Sequence, residues 1–195
     1  MSRKRSLSLA VLIGLAALSC PLTANAQVSG FRIEGGPAFL TKSGGLNFGT
    51  DAIESDGGIA IRARLRWGLG PVSVSGELQT SSQDYGQAPA PGAPTTLNAT
   101  FLGVTGAIHP FRVIGIAPYG EIGIGKLSYS DDLISTDNSS PASIYGVGFV
   151  IAGEGRLGVD VGLRLMRQTS LTIEGITSDF KYDPKVFSVL LSLKL

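Results

Sequence analysis

Along much of the chain apolar and polar residues alternate with a period of two, the spacing that sends successive side chains to opposite faces of a β-strand. Over 59–67, Ile59, Ile61, Ala63, Leu65 and Trp67 share one face and Arg62, Arg64 and Arg66 the other. Val72, Val74 and Leu78 oppose Ser73, Ser75, Glu77 and Gln79, and Val159, Val161, Leu163 and Leu165 oppose Asp160, Gly162 and Arg164. The last segment sets Phe187, Val189, Leu191, Leu193 and Leu195 against Ser188, Leu190, Ser192 and Lys194. Fainter alternation runs through 28–40, with Phe31 and Ile33 against Arg32 and Glu34. It recurs in 114–129, with Ile116, Ile122 and Ile124 against Tyr119 and Glu121, and in 170–180, with Leu171 and Ile173 against Thr172 and Glu174. Counting the mixed segment 96–107, the pattern predicts eight strands and leaves 143–155 unassigned. No comparable segment has the 3.6-residue period of an amphipathic helix.

The connections alternate in length. A Gly- and Asp-rich stretch from Thr41 is long, Gly68-Leu69-Gly70-Pro71 is tight, 86–94 is long, the link at Pro110 is short, and 130–143 is long and polar. Arg167-Gln168-Thr169-Ser170 is short again, and only the brief link at Lys181-Tyr182-Asp183 breaks the rhythm.

The first 26 residues read differently. Arg3-Lys4-Arg5, an apolar run from Leu7 to Leu18 and Ala24-Asn25-Ala26 have the three-part layout of a secretory signal peptide cut before Gln27. The run is too short to cross a bilayer as a helix. Cys20, the single cysteine, goes with it, so the exported part (27–195, one barrel domain) is expected to fold without disulfides.

Alternation alone does not say which face is inside. A soluble lipocalin-like calyx turns its apolar face inward around a ligand; a transmembrane barrel turns it toward lipid. The polar face carries Arg32, Arg62, Arg64, Arg66, Arg164 and Lys194 against Glu34, Glu77, Glu121, Asp160 and Glu174. A basic side chain facing lipid at the bilayer midplane costs roughly 2–4 kcal/mol, so in a membrane this face must line the lumen. Alternating loop lengths, export without disulfides and a low charged fraction, 16% of the 195 residues, favour the membrane. The expected architecture is an all-β, eight-stranded, antiparallel up-and-down transmembrane barrel with a polar, charge-paired lumen.

In these features the chain resembles the small outer-membrane β-barrels of Gram-negative bacteria, the OmpA-membrane-domain and OmpX-like group. The resemblance is carried by Pro118-Tyr119-Gly120-Glu121-Ile122-Gly123-Ile124-Gly125, by Gly158-Val159-Asp160-Val161-Gly162-Leu163-Arg164-Leu165, by Ser170-Leu171-Thr172-Ile173-Glu174, and by the last strand. One departure is the final residue, Leu195, where family members usually end in an aromatic. The resemblance implies the cell outer membrane as location, and outer-membrane lipids, lipopolysaccharide and, during biogenesis, the barrel-assembly machinery as partners. It implies a monomer with a structural or surface-contact role exercised through the long loops. A narrow porin, or a soluble periplasmic calyx for an apolar ligand, is the alternative.

The remaining chemistry is sparse. Near-balanced charge, 16 Lys and Arg against 15 Asp and Glu, argues against a nucleic-acid surface. Small barrels that modify lipid A use a His with a Ser. The one His, His109, falls at the short-link rim, away from the outer leaflet, and reads as a turn or interfacial residue. No G-x-S-x-G elbow is present. Asp131, Asp132 and Asp137 lack calcium-loop spacing, and Gly120-x-x-Gly123-x-Gly125 lies inside a strand rather than opening a helix. No catalytic residue, metal or cofactor is expected. The Arg row is expected to meet Glu34 or Glu77 across the first hairpins, and Trp67 and Phe187 to sit in interfacial belts.

Overall fold

The computed structural model describes residues 29–41, 46–48, 51–53, 55–85, 96–130, 139–152, 156–168 and 183–195. Its strands are β1 (Gly30–Leu40), β2 (Leu46–Phe48), β3 (Asp51–Ile53), β4 (Ser55–Leu69) and β5 (Val72–Tyr85), then β6 (Thr96–Ile108), β7 (Ile116–Ser130), β8 (Ser139–Ala152), β9 (Leu157–Gln168) and β10 (Lys185–Lys194). Eight of them close an all-antiparallel barrel in the order β1-β10-β9-β8-β7-β6-β5-β4, and β2 and β3 form a separate hairpin in the first long connection.

Sequence neighbours are ring neighbours, and the ring closes where β10 pairs with β1. Cross-strand partners traced from Phe31 run through Trp67, Val74, Gly106, Ile122, Tyr145, Leu165 and Lys185. The Lys185 carbonyl accepts from Thr41 N, so one circuit ends ten residues further along the chain than it began. That shear tilts the strands and lets eight of them enclose a lumen just wide enough for side chains.

The predicted number of strands stands, but one member changes. β8 occupies 139–152, most of which the pattern left as loop or unassigned, while 170–180, counted as a strand, lies outside the described residues. β9 pairs directly with β10, so the ring has no place for another strand between them. The reason is visible in β8: Ala142, Ile144 and Val150 are buried while Tyr145, Val147, Phe149 and Ile151 are exposed, so both faces are apolar and the period of two vanishes. With this correction the loop rhythm has no exception, because the connection after β9 spans 169–184 and is long. Short links join β4 to β5, β6 to β7 and β8 to β9 at one end, which also holds the start of β1 and the end of β10. Gly70, at φ +69°, allows the tightest of them.

The apolar face points out. Ile61, Leu102, Ile122, Ile124, Val147 and Leu191 are each more than half exposed, the reverse of a calyx. Phe31 stacks on Trp67 at the short-link end, with ring centroids 5.9 Å apart, and Phe39 pairs with Phe187 near the other end. From Phe31 to Phe39 is about 26 Å of strand, or roughly 20 Å along the barrel axis at the usual tilt, close to the apolar band of an outer membrane.

A charge-locked lumen

Strand alternation delivers the lumen side chains. β4 sends Arg62, Arg64 and Arg66 inward on three consecutive alternate positions, and neighbouring strands supply the counter-charges. Arg64 lies at the centre. Its Nε donates to Glu34 Oε2 (2.5 Å) from β1, Nη1 to Glu121 Oε2 (3.2 Å) from β7, and Nη2 to Asp160 Oδ2 (2.7 Å) from β9. Arg66 shares Asp160 Oδ2 at 2.7 Å, lies 3.3 Å from Glu34 Oε1 and sits 5.3 Å from the centre of the Tyr119 ring. Arg62 donates to Glu77 Oε2 (2.8 Å) and Ser188 Oγ (3.1 Å). Arg164 reaches Glu77 Oε1 at 2.6 Å and Glu121 Oε1 at 2.7 Å.

These groups are almost wholly withdrawn from solvent, with relative exposures of 0–4%. Isolated ions there would be severely penalised, and each is instead held by charge-assisted bonds and ion pairs to opposite charges. Asp160 and Arg164 share a strand face but find separate partners, Asp160 on β4 and Arg164 on β5 and β7. The Arg row therefore meets Glu34 and Glu77, and also reaches across the lumen to Glu121 and Asp160.

Arg32 stands at the edge of the network. It donates to Ser192 Oγ at 3.3 Å, and Ser192 Oγ donates in turn to Glu34 Oε1. Lys194 lies at the short-link rim beside the partner position of Arg32, half-buried and away from the central network. Glu174 lies outside the described residues. Tyr119, Ser188 and Ser192 belong to the network although the sequence reading did not pick them out. Tyr119 donates its hydroxyl to Asp160 Oδ1 at 2.8 Å. A Cβ at Gly148 or Gly162 would press against that hydroxyl at 2.6 or 2.8 Å, so the two glycines make room for it. Their inward parity, next to an inward Tyr, was the available signal.

His109 is not interfacial. It is fully buried at the short-link mouth of the lumen, packed 5.5 Å from the Tyr119 ring, with Nε2 3.1 Å from Ser73 Oγ. Burial, reinforced by the positive charge of Arg66, pushes its pKa down to about 4, so at neutral pH it is an uncharged plug.

Toward the long-link end the lumen changes character. Phe101, Leu127, Ile144, Met166 and Val186 form an apolar cluster with Ala38, Ala60 and Leu97, while β5 continues a polar line through Gln79, Ser81 and Gln83, and Ser140 on β8 and Gln168 on β9 add buried polar groups at the same end. Among the described residues no cluster of His, Cys, Asp or Glu is arranged to hold a metal.

A sheared, charge-filled barrel with an apolar exterior and aromatic rims defines a small integral membrane β-barrel of the outer-membrane type. The chain belongs to the outer membrane protein beta-barrel domain family, whose sequence profile matches residues 9–194. Its place is the cell outer membrane. The fold is similar to that of Neisserial surface protein A, with a TM-score of 0.61 at 15% identity, covering 86% of this chain and 98% of that one. It is also similar to Ail, the attachment invasion locus protein of Yersinia pestis, with a TM-score of 0.50 at 11% identity, covering 86% of this chain and 99% of that one. No curated protein matches the chain by sequence.

Proposed function

We propose that this protein is a non-conducting, non-enzymatic monomeric barrel that serves as a rigid outer-membrane scaffold, making its contacts through the four long connections. The observation that carries this reading is the Arg64 side chain, which bonds carboxylates from β1, β7 and β9 at once and so bars the lumen. A porin needs a wet, open path, and here the middle of the lumen is filled by paired ions, with His109, Tyr119 and Ser73 beneath them. The Ser73 and His109 pair does not favour catalysis. Both are sealed from solvent, and among the described residues no carboxylate meets His109 Nδ1 to orient the ring, as a nucleophilic serine requires. An adhesive role is the natural use of long loops on a fixed platform, and the name of the Yersinia relative records attachment for that protein.

Planar-bilayer recording tests the scaffold reading. The wild-type barrel is expected to give no steady conductance, whereas Arg64→Ala, which removes the cross-lumen bar, should produce discrete openings. Sustained wild-type conductance of porin type would overturn the proposal.

A further inference from the structure

The ion network closes in matched pairs and leaves a remainder. Arg62 and Arg164 are matched by Glu77 and Glu121, and Arg64 and Arg66 by Glu34 and Asp160. Among the described residues this uses all four buried carboxylates and four of the five buried guanidinium groups. Arg32 is the fifth. Its hydrogen-bond partner is the neutral hydroxyl of Ser192, and among the described residues no carboxylate, that of Leu195 included, forms an ion pair with it.

This surplus falls where the strand register has already gathered cations. Arg32 is the direct partner of Lys194 on β10 and of Arg66 on β4, so three positive side chains stand abreast on the inner wall at the short-link end. Neighbouring Cα atoms in such a row are about 5 Å apart, and like charges directly opposite each other repel. Arg112, in the link from β6 to β7, adds a further positive charge that acts on Arg32. Hydrogen-bond donors are left over at the same place. Arg32 Nε and Arg66 Nε have no acceptor, and Arg66 Nη1, although 3.3 Å from Glu34 Oε1, makes no aligned bond. Both side chains are deeply buried, with Arg66 0% and Arg32 7% exposed. Toward the rim the wall opens, because the next inward pair is Gly30 and Gly68. Lys194 crosses that opening, its Cε 3.5 Å from where a Cβ on Gly30 would stand.

A buried guanidinium without a counter-charge is strongly disfavoured, and unmade hydrogen bonds beside it add to the cost. One small anion removes both penalties. We propose that the short-link mouth of the lumen binds a monovalent inorganic anion of chloride size, held by Arg32 and Arg66 and covered by Lys194. A single negative charge balances the one surplus buried guanidinium, because half-buried Lys194 keeps its contact with water. The ion completes the charge balance of the lumen from the short-link side and separates Arg32 from Arg66. The site stands whether or not the barrel conducts, since it follows from the charges and orphaned donors at the mouth.

The test is urea unfolding of the barrel in phosphatidylcholine vesicles, followed by heat-modifiable gel migration, in sodium chloride and in sodium gluconate of equal ionic strength. At about 100 mM salt the wild-type folding equilibrium constant is expected to be about tenfold larger in chloride, the ratio for a dissociation constant of about 10 mM. Arg32→Met removes the surplus charge and should unfold at the same midpoint in both salts. Ser75→Asp, which places a carboxylate directly beside Arg66, should lose the chloride dependence too. Glu154, in the link from β8 to β9 at this end, lies outside the described residues, and Glu154→Gln should keep the dependence. Crystals soaked in sodium bromide should show an anomalous scattering peak in contact with Arg32 and Arg66. Equal wild-type midpoints in the two salts, a chloride dependence retained by Arg32→Met or lost in Glu154→Gln, or no bromide at the mouth overturns the proposal. Protection by sodium phosphate without protection by chloride overturns the choice of a monovalent ion.

Discussion

The two halves of the lumen are built from the same strands by opposite means. The short-link half is held by directional bonds, with Arg62, Arg64, Arg66 and Arg164 interleaved with Glu34, Glu77, Glu121 and Asp160. The long-link half is packed with Phe101, Leu127, Ile144 and Met166, which have shape but no direction. An ionic layer specifies one arrangement strictly and tolerates loss of a member badly, because a removed partner strands a buried charge. An apolar layer loses only area and packing when trimmed. The ionic half is therefore expected to fix the register of the barrel, and the apolar half to fill it.

The sharpest way to break this contrast is at Arg64. Replacing it with Met leaves the room filled but deprives Glu34, Glu121 and Asp160 of a common partner. The expected cost is about 3–5 kcal/mol, the usual penalty for breaking a buried ionic network from one side. It would be read as a lower urea midpoint for the folded band of the barrel in lipid vesicles. A loss below about 1 kcal/mol would mean that the network is loosely coupled and that packing alone sets the register.

In the apolar half, Leu127→Ala opens a cavity against Phe101, its partner position on β6. The expected loss is about 2–4 kcal/mol, and Leu127→Met should cost less than about 1.5 kcal/mol because volume is kept. The ionic half should not forgive a swap of equal size: Glu77→Gln keeps shape but leaves Arg62 and Arg164 short of a charge. If Glu77→Gln proved as mild as Leu127→Met in the same assay, the two halves would differ in composition without differing in mechanism.

The same contrast explains what could be read from the sequence. Alternation is legible where one face is charged and the other apolar, so β4, β5, β9 and β10 stood out, with β1 fainter, together with the Arg row and most of its carboxylates. It fails where the lumen itself is apolar. β6 turns Leu97, Ala99 and Phe101 inward against outward Leu102 and Val104, and β8 does the same with Ile144 and Val150. Both read as poor strands because neither face is polar. The direction of the partnerships was open for a different reason. Whether Arg64 meets Glu34, Glu121 or all three of its carboxylates depends on ring closure and shear, which no local window contains.

The smallest expected effect lies at the boundary below the ionic half, and it appears only in acid. His109 is held neutral, with its pKa pushed down to about 4 by burial and by Arg66, against about 6.5 when unfolded. Between those values the unfolded chain binds more protons at this site than the folded one. The contribution of His109 is therefore fully present above pH 6.5 and is lost progressively as the pH falls to 4. At pH 5 the loss should be about 1–2 kcal/mol relative to neutral pH. His109→Gln cannot take up the proton and can still bond Ser73, so its urea midpoint should fall less between pH 7 and pH 5 than that of the wild type. Parallel pH profiles for the two proteins would show that the carboxylates alone carry the acid sensitivity. The boundary plug would then be silent, and the division between the halves would be set entirely by the ions above it.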